Sequence, residues 1–265
     1  MKNIFPILIA LLFAACSKEI EIDYRDIDPI FVVEGTLSNE NVQVFISQTR
    51  NMESNIKNVP ITSANVIMKT SNGNIHELSY QTDSFYRPAI EFTPQIGETY
   101  TLELEIEGEN FSSNSFLNEK VEIQNTQFYW ESLMGERILF FKIQLQDPQN
   151  TENFYYAKIF RNGELYASSV FSDKGIDGGI ISEDYFCMME LMVEENEEDN
   201  QDMILRDGDI IDVELRAIDQ KSYDYIYSLD LGTNPIPNFS GNCLGYFSAF
   251  SVARTQLEYQ SSKVI

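Results

Sequence analysis

The sequence predicts a mostly β protein organised as two β-sandwich domains, and three observations carry the prediction. Short runs rich in β-branched and aromatic residues recur along the chain. Apolar and polar residues alternate in the clearest of them. Asn-Gly pairs stand between adjacent runs, where a tight hairpin turn needs positive φ.

Ile30 to Leu37 and Val42 to Gln48 form the first pair of predicted strands. Asn65 to Thr70 and Ile75 to Tyr80 flank Ser71-Asn72-Gly73-Asn74, a hairpin, and Phe85 to Ala89 adds a short strand. In Tyr100 to Ile106 the residues Tyr100, Leu102, Leu104 and Ile106 face one way and Thr101, Glu103 and Glu105 the other, the period of a half-buried strand. A boundary is expected over Phe116 to Lys120, giving domains at 29–118 and 119–265. Val121 to Phe128, Ile138 to Gln146 and Phe154 to Arg161 are strands of the second, and Asn162-Gly163 turns the chain back along Glu164 to Val170.

From Phe171 to Asp202 the pattern lapses, and Asp209 to Ala217 resumes it. Asp219 is an N-cap candidate, Tyr223, Ile226 and Tyr227 share a helical face, and Gly232 and Pro235 supply a stop, so a helix is expected over 220–231. It would pack its tyrosines onto the sheet. Tyr246 to Arg254 reads as one buried strand near the end of the fold.

The N-terminus has its own grammar. Lys2 precedes an apolar run from Ile4 to Phe13, then Ala14-Ala15 and Cys16, a secretion signal over 1–15. The run is short of the roughly 20 residues that span a bilayer. A cysteine at the cleavage point resembles the lipobox of bacterial lipoproteins, with Phe13 where an aliphatic is usual; a plain signal peptide or a short anchor are the other readings. On the first, Cys16 is the lipidated residue and 16–28 a flexible stalk.

Lys+Arg 18 against Asp+Glu 42 gives a net charge of −24, which repels nucleic acid and anionic lipid head groups. Neither is an expected partner. Beyond Cys16 the cysteines are Cys187 and Cys243, which would pair in an oxidising compartment or stay as buried thiols; spacing leaves both open. The one histidine, His76, sits in a predicted hairpin strand, where an ordinary strand residue is the expectation and a Ser-His-Asp centre is not. Carboxylates are so many that no pair marks a glycosidase.

Asp173 to Gly179 (DKGIDGG) spaces oxygen donors with glycines. Asp173 and Asp177 would wrap a calcium ion with help from Glu183, Asp184 or the acidic run from Glu194, although a turn-rich solvated loop accounts for the same residues. Calcium is the one cofactor suggested. Phe128-Tyr129-Trp130 is an aromatic cluster for stacking on a sugar or peptide if exposed, and core if not.

Taken in order, Ile30-Phe31-Val32-Val33-Glu34-Gly35, Ser63-Ala64-Asn65-Val66, Gly97 to Leu102, the Ser222 to Leu231 segment and Asn238 to Val252 (NFSGNCLGYFSAFSV) resemble the DUF4249 lipoproteins of Bacteroidetes. That resemblance implies an outer-membrane protein, commonly encoded beside a TonB-dependent transporter, with a first domain similar to immunoglobulin-like and transthyretin-like modules. It brings no catalytic residues. The expectation is a non-catalytic binding or accessory subunit for nutrient uptake, its ligand unspecified, with surface adhesion or a structural interaction role as the alternative.

Overall fold

The computed structural model describes residues 28–50, 59–188 and 203–265. The signal segment, Cys16, the stalk as far as residue 27 and the acidic run from Glu194 lie outside them. The strands are β1 (Phe31–Leu37), β2 (Val42–Gln48), β3 (Asn65–Thr70), β4 (Ile75–Tyr80), β5 (Tyr86–Pro88), β6 (Thr99–Ile106) and β7 (Glu109–Phe116), followed by β8 (Ile123–Leu133), β9 (Glu136–Gln146), β10 (Phe154–Arg161), β11 (Glu164–Ser172), β12 (Ile180–Phe186) and β13 (Ile210–Ile218). Helix α1 (Gln220–Asp230) precedes β14 (Cys243–Ala249) and β15 (Ser251–Glu258).

The first sandwich is an eight-stranded sheet in the order β14-β1-β2-β5-β4-β3-β6-β7. The alternation in β6 does what its period requires: Tyr100, Leu102, Leu104 and Ile106 are all buried in the core with Val33, Val44, Ile46 and Met68. The second sandwich packs a four-stranded sheet, β11-β10-β13-β15, on a three-stranded one, β12-β9-β8. Phe141, Ile143, Leu145, Tyr155, Val213 and Leu215 fill the space between them.

One segment joins the two. The run Tyr246 to Arg254, read as a single strand, is broken at Phe250 and serves both sandwiches. Its front half belongs to β14, which pairs parallel with β1 from Phe31↔Cys243 to Leu37↔Ala249, and its back half to β15, which pairs antiparallel with β13. Residues on the far side of the 118/119 division, Phe239, Cys243, Phe247 and Ala249, thus complete the first core. The close approach depends on Gly245: at φ 101° a Cβ there would lie 1.9 Å from the Val33 carbonyl oxygen.

Strand β7 brings the far edge of the sheet back to β14. Its serines make the seam: Ser115 Oγ accepts from Ala249 N (2.7 Å), and the Ser113 hydroxyl donates to Asn238 Oδ1 (2.6 Å), which also accepts from Phe247 N (2.9 Å). Further bonds brace the sandwiches, Asn118 Nδ2 to the Ile218 carbonyl (2.9 Å) and Phe116 N to Asp219 Oδ2 (3.1 Å), and Arg254 ion-pairs with Glu40.

Asp219 caps α1 as expected, accepting from Ser222 N at 2.8 Å. The buried face includes part of the expected one and extends beyond it. Ser222, Tyr225, Ile226 and Ser228 go inward, and Tyr225 stacks on Tyr246 at 5.5 Å. Of the expected face, Ile226 is buried and half-buried Tyr223 packs on Phe154 (5.0 Å), while exposed Tyr227 stacks on Tyr223 from the solvent side, 5.4 Å away; a helix straddling two sandwiches buries a wider arc than one on a single sheet. Among the described residues, no helix is long and apolar enough to cross a membrane.

Candidate functional site

The loop after β11 gathers part of the expected calcium set. Asp173 and Asp177 come together with Asp147, which closes β9, and one carboxylate oxygen of each lies within 4.8 Å of the others. Asp147 and Asp173 are buried and Asp177 is exposed. Glu183 and Asp184 do not join. Both sit on β12, where Asp184 faces Lys142 at 3.6 Å and burial, then the neighbouring Asp184 charge, push the Glu183 carboxyl up.

The three carboxylates already have donors. Tyr155 Oη donates to Asp147 Oδ1 (2.6 Å) and Gly178 N to Asp147 Oδ2 (3.0 Å). Asn153 N donates to Asp173 Oδ2 (3.0 Å) and Asn150 N to Asp177 Oδ1 (2.7 Å). Burial, followed by the bond to Asp147, pushes the Tyr155 hydroxyl up, so it remains a donor. Gln146 Nε2 takes the Gly178 and Gly179 carbonyls at 2.8 and 3.2 Å. A calcium ion seeks six to eight oxygens; protein N–H and O–H groups already bond both oxygens of Asp147 and one each of Asp173 and Asp177, so the cluster staples the loop whether or not it also takes an ion. Asp147 was not singled out in the sequence, and its one local signal is the strand-ending Asp147-Pro148 pair.

The cysteines do not pair. Cys187 lies in the second core and Cys243 in the first, both as free thiols. Burial pushes each up to about 12, so neither is a nucleophile at neutral pH. Of the two readings left open, buried thiols hold, and the two cysteines are in different sandwiches because β14 crosses to β1. His76 on β4 stacks its ring on Phe92 at 3.7 Å, a packing role.

Phe128-Tyr129-Trp130 splits by strand alternation. Phe128 is buried on Phe141 and Tyr259, each 4.8 Å away. Trp130 packs against the same core with the Arg137 guanidinium over its ring at 4.7 Å. Tyr129 points the other way, in a row with Phe140 and Phe186 across three strands, under Lys142 at 4.4 Å. Burial, with Asp184 next, pushes its hydroxyl up to about 12.

Beyond that row the β8–β9 hairpin runs on without a third strand. β12 pairs with β9 from Gln146 only as far as Phe140, whereas β8 pairs with β9 to Leu133↔Glu136. Residues 131–137 are exposed throughout. Met134 (φ 53°) and Gly135 (φ 89°) make the turn, both left-handed as a two-residue type I′ loop requires. Met134 is 100% exposed and Leu133 52%. No sequence signal marked this tip, since Met-Gly is not a turn pair.

No curated protein matches the sequence. Among solved structures, the chain is similar to a two fibronectin type-III domain segment from chicken tenascin, at 10% identity over 88% of this chain and 100% of that one, with a TM-score of 0.23. The strand pairing described above, not that superposition, defines the fold. A family model described as a domain of unknown function, DUF4249, matches residues 17–256, and the chain belongs to that family.

Proposed function

We propose that the chain is a non-catalytic lipoprotein, acylated on Cys16 and held at the outer membrane, that works as a binding or accessory subunit of a TonB-dependent transporter. The observation that carries this reading is the order Lys2, the apolar run Ile4 to Phe13, Ala14-Ala15 and Cys16, directly ahead of the family domain that starts at residue 17. The fold supports it. Two sandwiches joined through the consecutive strands β14 and β15 and braced by Arg254–Glu40 form one body that presents loops and hairpins at its surface.

Two measurements test the proposal. Cys16→Ser should move the protein from the membrane pellet to the soluble fraction, and unchanged pelleting would remove the lipid anchor from the account. Detergent extracts of the wild-type membranes should yield a TonB-dependent barrel with the protein. A lipoprotein that repeatedly emerges alone defeats the transporter role.

A further inference from the structure

The β8–β9 tip breaks three rules at once. A non-glycine residue with positive φ pays a steric penalty that Asn and Asp carry best, and Met134 has neither their short side chain nor a polar group to bond locally. Its side chain is wholly in water, with half-exposed Leu133 beside it. Nothing in the fold is gained by either, whereas the same turn at the β10–β11 tip uses Asn162. A strained, exposed apolar residue on an ordered element points to something outside the chain.

The stem under the tip is stiff. Arg137 over Trp130 locks the two strands together, and the edge strand β8 is held at Trp130 N by the Ile265 carbonyl (2.9 Å). Leu133 and Met134 are therefore presented in a fixed place, which lowers the ordering cost of binding. Their flanks carry two acids and one base: Glu136 pairs across from Leu133 and Glu131 from Ile138, while Arg137, across from Ser132, turns its guanidinium onto Trp130, and the chain's net charge is −24. That charge disfavours an anionic bilayer surface and favours a basic rim around an apolar centre.

We infer that the β8–β9 hairpin tip is a docking wedge, with Leu133 and Met134 entering an apolar pocket on a protein partner and Glu131 and Glu136 meeting Lys or Arg side chains at its rim. This rests on the accessory-subunit reading and names the surface that would make the contact.

The experiment uses the full-length chain in the membranes of the cells that make it. A photo-crosslinking residue replaces Met134 in one strain and Asn162 in another. Position 134 should give one discrete protein adduct and position 162 none. Met134→Asn, which restores ordinary turn chemistry, should leave the thermal midpoint unchanged or higher while weakening recovery of that same partner about thirtyfold, as for an interface hot spot. Addition of salt should weaken recovery of the wild-type complex further. Adducts to lipid alone, no adduct at 134, binding of the Cys16→Ser chain to phosphatidylethanolamine–phosphatidylcholine vesicles through the tip, or full recovery of the partner by Met134→Asn would each overturn the wedge. A transporter that copurifies equally with wild type and Met134→Asn overturns the wedge and leaves the accessory role standing. A discrete adduct that is not a transporter keeps the wedge and counts against that role.

Discussion

The β8–β9 and β10–β11 hairpins reverse the chain with the same backbone and opposite chemistry. At both tips two residues with positive φ link directly paired strand ends, Leu133↔Glu136 and Arg161↔Glu164. At the second tip the side chain of the first turn residue is used by the fold. Asn162 Nδ2 donates to Asp209 Oδ1 (2.8 Å), its Oδ1 accepts from Ile210 N (2.9 Å), and its own N–H donates to the Ile210 carbonyl (2.8 Å). At the first, Met134 stands in water. A turn residue chosen for the fold is tied down, and the contrast isolates Met134 as a residue the fold does not need.

The largest expected effect comes from moving one tip's chemistry to the other. Asn162→Met removes both side-chain bonds and puts a long side chain at left-handed φ, so urea unfolding should show a loss of about 2–3 kcal/mol. A loss of only a few tenths would mean the Asn162 bonds do not anchor the tip.

Next in size, Gly135→Ala and Gly163→Ala should each cost about 1–2 kcal/mol, from backbone strain alone, because a Cβ at either site meets nothing within 4 Å. The two values should agree. A clear difference between them would break the premise that the backbones are equivalent. Met134→Asn should be smaller and opposite in sign, stabilising by about 0–1 kcal/mol in the same assay as turn strain is relieved.

The smallest effect is a control in acid. Burial raises the Glu214 carboxyl, but hydrogen bonds and charge from Arg216, then Arg254, outweigh it and hold the group below the ordinary carboxylate range. A depressed folded value contributes stability above the unfolded value, near 4.5, that is lost as pH falls through the folded one. Met134→Asn should follow the parent's acid profile in parallel, since its tip touches neither Glu214 nor another carboxylate of that sheet, whereas Asn162→Met also takes a donor from Asp209 and is no such control. A Met134→Asn profile that diverges below pH 4.5 would tie the β8–β9 tip to that sheet.

Much of this was legible locally. Alternation in β6, the Asn162-Gly163 turn and the Asp219 cap each rest on interactions within a few residues, so pattern alone places them. The Asn72-Gly73 turn was half legible: of the pair only Gly73 has positive φ, at 91°, and the Thr70 N–H to Asn74 carbonyl bond (3.0 Å) closes a longer loop. β7 was not legible. Its sequence, ENFSSNSF, reads as polar connection, and its serines gain their purpose from Asn238 and Ala249, 125 and 134 residues away. β12 was hidden in the same way, its IISEDYF following a glycine-rich loop and finding its register only against β9. Of the acidic cluster, Asp173 and Asp177 shared one loop and were visible together, while Asp147 reaches them only through the β9–β12 pairing.

By itself, then, the sequence determined the class of the fold and the strands whose alternation separates core from solvent, because hydrophobic periodicity and turn chemistry are properties of neighbouring residues. Only the tertiary structure decided that one apolar run near the end is two strands in two sandwiches, that Cys187 and Cys243 are held apart, and that a Met-Gly pair stands exposed at the end of a braced hairpin. Those outcomes depend on which distant strand lies alongside, and a residue's burial is a property of its neighbours in space.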